Sequence, residues 1–159
     1  MKKLVLLTLV IFLCFFCACT TPSPSTGLPA ISSEEQSYAT AIQDNAYAVA
    51  NVLEELSFLM TEPEIGNDEW TLDVATQLVI IQLAYDEAIQ MTPPDSMAHI
   101  HYKYIQAMND FNDATDLIAS GIDNLDASMI EQATSKIQSG SQHLVEATDL
   151  VNTFIAAHK

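Results

Sequence analysis

The side chains with the most chemistry to offer are four histidines and a row of carboxylates in the second half of the chain. His99 and His101 have the look of a chelating pair, but on a helix residues two apart are rotated by about 200° and point to opposite sides. Neither falls on the apolar stripe through Ile100 and Tyr104, so both are expected at the boundary or in solvent, with a partner or cation surface beside Asp95 as their functional use. His143 precedes a stripe residue, Leu144, and reads as a boundary side chain. Asp110, Asp113 and Asp116 step along one helix, which gives a solvated acidic face rather than the converging loop oxygens that calcium needs. Asp123-Asn124-Leu125-Asp126 reads as a helix-ending turn followed by a cap. Asn45 interrupts an apolar stripe between Ile42 and Val49, where a buried amide fixes register or lines a pocket. Asn45, His99 and His101 are therefore the candidate partner or ligand surface.

Other site chemistries lack their residues. A di-iron bundle needs Glu-x-x-His pairs on facing helices, and the sequence has none. Covalent haem needs Cys-x-x-Cys-His, which is absent; for haem held by Met and His, His158 sits at one helix end, but the start of the first helix offers Tyr38 and no methionine. Gly-rich phosphate loops and Ser/His/Asp arrangements are missing too. The expectation is a non-enzyme with no metal and no cofactor.

The three cysteines, Cys14, Cys17 and Cys19, all lie near the N-terminus. Lys2 and Lys3 precede an apolar run over residues 4–18, the layout of a secretory signal. Its 15 residues fall short of the roughly 20 that span a bilayer as a helix. The closing Phe16-Cys17-Ala18-Cys19 resembles the bacterial and archaeal lipobox, in which a small residue precedes a cysteine that is acylated and becomes the new N-terminus. That resemblance implies cleavage after Ala18 and a lipid on Cys19; Phe16 departs from it, since an aliphatic residue is usual there. Ordinary signal cleavage, or an uncleaved anchor with the lysines inside, are the alternative uses of this segment. Beyond Cys19 no cysteine remains for disulfide, thiolate catalysis or metal binding.

The net charge is −16, and the chain contains no arginine. Removal of the first 18 residues leaves three lysines against 21 acidic residues, a balance of −18. Such a surface repels phosphate backbones and anionic headgroups, which excludes nucleic acid as a partner.

Residues 19–32 are rich in Pro, Ser and Thr and read as a flexible tether. Residues 33–159 carry four helical segments, at about 34–60, 68–91, 95–124 and 127–157, with no strand-like alternation. Ser32 and Glu35 have capping-box spacing, and Thr61-Glu62-Pro63 and Thr92-Pro93-Pro94 are breaks. Val79 and Ile80 widen the stripe of the second segment, which predicts the most buried helix of the set. The third segment, through Met97, Ile100, Tyr104, Ala107, Phe111, Ala114, Ile118, Gly121 and Leu125, and the fourth, from Ile130 to Phe154, alternate steps of three and four without a miss, with Ala and Gly recurring on their seams, as close-packed neighbours would. Long helices and short loops predict an all-α, up-down-up-down antiparallel four-helix bundle.

From residue 94 onward the chain resembles small bacterial and archaeal lipoproteins with a helical-bundle domain, through Pro94, His99 to His101, Gly121-Ile122-Asp123, Asp126 and Ala133. The resemblance transfers no specific activity. The expected protein is a lipid-anchored extracytoplasmic lipoprotein of the cell envelope, on the outer face of the cytoplasmic membrane or on an outer membrane. Its acidic bundle would serve an envelope protein partner or surface organisation. The alternatives are a sensor-like bundle with an interhelical ligand pocket and, third, cation binding.

Overall fold

The computed structural model describes residues 29–158. The signal segment, the cleavage point after Ala18, Cys19 and most of the tether lie outside the described residues. Those residues form an all-α four-helix bundle: α1 (Ser33–Thr61), α2 (Asp68–Gln90), α3 (Ala98–Asp123) and α4 (Ala127–Ala157), with a 3-10 turn at Asp95–Met97 leading into α3.

Local chemistry sets most of the helix starts. At α1 the Ser32 hydroxyl accepts from the Glu35 amide (3.2 Å) while Glu35 Oε2 accepts from the Ser32 amide (2.8 Å), a complete capping box. Asn67 caps α2 through Glu69 N–H at 2.9 Å, and Asp126 caps α4 through Ser128 N–H at 2.9 Å. No side chain caps α3; the 3-10 turn after Pro93-Pro94 delivers the chain into it instead.

The core is one cluster fed by all four helices, with Tyr104, Phe111, Ile42, Leu56 and Ile81 among its largest fully buried side chains. Contact between α3 and α4 is the most extensive; α2 meets α1 and α3, and α1 meets α4 more sparsely. The reason for the close α3–α4 fit lies in the small seam residues. A methyl group on Gly140 would stand 2.7 Å from Phe111 Cε1 and 3.1 Å from the Ala107 carbonyl oxygen. One on Gly121 would stand 2.7 Å from Ile130 Cδ1. At Gly140 a ring and a backbone oxygen leave room for hydrogen alone, while at Gly121 the tip of Ile130 would have to shift, so the two helices lie nearly backbone to side chain.

Two expectations are corrected. Leu125, read as the end of the α3 seam, is exposed and adopts φ 54°. It is the left-handed residue of a Schellman turn, in which Asp126 N–H donates to Gly121 O (2.8 Å) and Leu125 N–H donates to Ile122 O (3.3 Å). The second correction concerns α2. Far from being the most buried helix, it leaves Leu72 (66 %), Val79 (52 %), Ile80 (38 %) and Leu83 (61 %) exposed. Its neighbours α1 and α3 cover Trp70, Val74, Leu78, Ile81, Ala84 and Ala88, on the opposite side of the helix. Leu72, Val79 and Leu83 recur at intervals of seven and four, which aligns them in a single outward stripe.

Candidate functional site

The three sequence candidates go to different surroundings. Asn45 is buried at 6 % exposure, at the floor of a groove between α1 and α2. Its Nδ2 donates to the Ala84 carbonyl oxygen at 3.3 Å and to Glu87 Oε2 at 3.4 Å, while its Oδ1 has no donor among the described residues. Ala41, Ala48 and Ala84 line the same groove with Asp44, Glu87, Ile80 and Leu83, and the cavity measures about 480 Å³. The alanines open this space by withholding side chains where the two helices meet. His101 lies elsewhere, with its Nδ1 2.5 Å from the Tyr38 hydroxyl of α1. His99 is exposed. The opposite placement of the two histidines follows from their spacing.

The Tyr38–His101 pair ties the start of α1 to α3. Burial pushes the Tyr38 hydroxyl up to about 12 and holds His101 below its ordinary value, so a neutral ring meets a protonated hydroxyl and takes whichever tautomer completes the bond. Nearby, Ser96 Oγ donates to Glu35 Oε1, and this bond, with those from Ser32, draws Glu35 down to about 2. Tyr104, fully buried one turn beyond His101, is raised by burial and then by the negative charge of Glu87. Its hydroxyl has no hydrogen-bond partner among the described residues. The three-four periodicity places Tyr104 in the apolar seam and gives no sign of this polar end, because it reports which face a residue takes and not where its hydroxyl ends.

Of the α3 row expected as a solvated acidic face, Asp110 and Asp113 are instead engaged by α4. Lys136 Nζ lies 3.1 Å from Asp110 Oδ1 and 2.8 Å from Asp113 Oδ2. Ser139 Oγ donates to Asp110 Oδ2 at 2.7 Å, and His143 Nδ1 stands 3.2 Å from the same oxygen. Burial acts to raise Asp110, but these donors outweigh it and hold its carboxyl below the usual range. Lys103 pairs with Glu146 at 2.9 Å farther along the same two helices. Among the described residues, no group of three or more His, Cys, Asp or Glu side chains is placed to hold a metal ion.

Two further openings lie toward the α1–α2 loop. A cleft of about 310 Å³ between α1, α3 and α4 is lined by Leu53, Leu56, Met60, Ile118, Ile130 and Ile137 with few polar groups. The second, about 410 Å³, sets Phe58 and Trp70 among Glu62, Glu64, Glu69 and Asp73. Trp70 is held there by its indole N–H, which donates to the Leu59 carbonyl oxygen at 3.0 Å. Among the described residues no helix is long and apolar enough to cross a membrane. Comparison with protein-family models, curated proteins and solved structures finds no match to the chain.

Proposed function

We propose that this chain is a non-catalytic envelope lipoprotein, held to the outer side of a membrane by an acyl group on Cys19, whose bundle offers a docking surface to another envelope protein. In this reading residues 1–18 are removed, residues 19–32 are the tether, and the four helices run up-down-up-down. The course of the last two supports that order: α3 residues 103, 110 and 121 meet α4 residues 146, 136 and 130 in turn. One observation carries the docking surface. The stripe of Leu72, Val79 and Leu83 faces solvent on the side of α2 opposite the core, and apolar stripes of this kind mark interaction sites.

Crosslinking in the intact envelope, followed by mass spectrometry of the full chain and of its Leu83→Asp variant, tests this. A protein recovered with the wild type and lost with the variant is expected; recovery of both chains alone would overturn the surface. The anchor is tested separately by Cys19→Ser. Release of the variant from the membrane fraction is the expected result, and retention at full precursor length would show an uncleaved anchor.

The cleft between α1, α3 and α4 favours a second reading, a ligand-binding bundle. Its volume of about 310 Å³ is at the small end of the range for ligand sites and its lining suits an apolar chain. Native mass spectrometry of the purified chain would reveal a bound lipid or fatty acid, and a single unliganded mass would remove this reading.

A further inference from the structure

The groove between α1 and α2 and the outer stripe of α2 are continuous through Leu83, which belongs to both, with Ile80 of the groove beside Val79 of the stripe. We infer that this surface receives an amphipathic helix of another protein, with apolar residues on Val79, Ile80 and Leu83 and a lysine or arginine set between Asp44 and Glu87. The inference rests on the docking role proposed above and names the occupant.

Length decides against a small amine. From Leu72 to Leu83 the stripe spans eleven residue steps, about 16 Å at the rise of a helix, which matches three turns of a packed partner. Charge decides the partner's sign. The groove has exposed carboxylates on both walls, Asp44 from α1 and Glu87 from α2. The lysines of the described residues, Lys103 and Lys136, lie on α3 and α4 and are paired there. A second copy of this chain would bring acid against acid at a net charge of −16, and like charges facing each other across an interface oppose association. An anionic bilayer is disfavoured for the same reason. Asn45, at 6 % exposure on the groove floor, donates its amide nitrogen to Glu87 as well as to Ala84, which keeps the Glu87 carboxylate at the edge of the groove.

The test is a fluorescence-anisotropy titration of the full chain in detergent with two labelled synthetic helices of about 18 residues, five turns each, one of Leu and Lys and one of Leu and Glu. The Leu/Lys helix is expected to bind and the Leu/Glu helix not to bind. Leu83→Asp is expected to weaken binding about tenfold or more, since it plants a charge on the apolar contact. Attraction by charge alone gives the opposite sign, because the variant is more acidic, so unchanged or tighter binding overturns the inference. Glu87→Gln is expected to weaken binding while Glu131→Gln, on α4, leaves it unchanged; equal losses overturn the site. Leu83 and Glu87 are exposed, so both variants are expected to keep the wild-type helix content by circular dichroism. Binding of neither helix overturns the inference, and the envelope crosslinking then judges the broader docking role by itself. Sedimentation equilibrium showing a wild-type dimer that Leu83→Asp dissolves would replace the partner with a second copy. Leu83-dependent binding of the Cys19→Ser chain to phosphatidylglycerol vesicles would replace it with a membrane.

Discussion

The two halves of the bundle use apolar residues in opposite ways. In α3 and α4 the seam side chains are buried or partly buried up to the turn, glycines close the gap, and both lysines of the described residues neutralise carboxylates across it. In α1 and α2 the apolar content exceeds what the neighbours cover: α2 shows one stripe to the core and another to water, beside a groove floored by a buried amide. The first pair has the pattern of a structural unit whose contacts are used up internally. The second has surface left over, so the function is sought there.

The sharpest way to break this comparison is to truncate one residue from each face of α2. Ile81→Ala, in the core, should cost about 3 kcal/mol through lost burial and an unfilled cavity. Leu83→Ala, on the outer stripe, should change stability by less than about 0.5 kcal/mol. Urea unfolding of both variants measures the difference. Similar losses would mean that the outer stripe is covered in the folded protein, and the groove would lose its meaning as an open surface.

Next in size is the α3–α4 seam. Gly140→Ala in an open helix would gain about 1 kcal/mol from helix propensity. Here the new methyl meets the Phe111 ring at 2.7 Å and the Ala107 carbonyl at 3.1 Å, and a backbone oxygen cannot move aside. A net loss of about 2 kcal/mol is expected, as for other overpacked cores. The same denaturation series reads it, and a gain in stability would show that α3 and α4 separate at little cost.

Leu125 offers a change of the other sign. Its φ of 54° holds a leucine where glycine is at ease, and its side chain is exposed, so little packing is lost on removing it. Leu125→Gly should raise stability by about 1 kcal/mol, visible as a higher urea midpoint at unchanged slope. No gain would mean that the turn between α3 and α4 is relaxed as it stands.

How far the sequence could be read tracks this same division. Strict three-four periodicity in α3 and α4 exposed the seam residues, since Met97, Ile100, Tyr104, Ala107, Phe111, Ala114 and Ile118 are all buried. In α2 the reading went wrong at Val79 and Ile80. A run of apolar residues shows that a helix has two greasy sides but cannot say whether a neighbour stands beside each, because that depends on how many helices surround it. Leu125 misled for a related reason, as a periodic position continues past the residue where the backbone turns left-handed. Asn45 stood out as a break in a stripe, whereas the groove around it depends on Ala41, Ala48 and Ala84, residues whose role is to be small. The Tyr38–His101 contact joins residues 63 positions apart, and no local pattern signals it.

That contact gives the smallest effect and a test of how firmly α1 is tied to α3. Burial lowers the His101 pKa below 6.5, so the folded chain resists the proton that the unfolded chain accepts. The contribution to stability is therefore complete above pH 6.5 and declines as the pH falls below it, toward the lowered folded value. Substituting His101→Gln removes the titrating group while keeping a hydrogen-bonding side chain near Tyr38. The expected outcome is a shallower fall of the unfolding midpoint on the acid side of pH 6.5 than in the wild type, with parallel curves above it. Taking the difference between the two proteins cancels the carboxylates they share. Coincident slopes below that pH would mean that the ring is as well solvated folded as unfolded, and that α1 docks on α3 through its apolar residues without this bond.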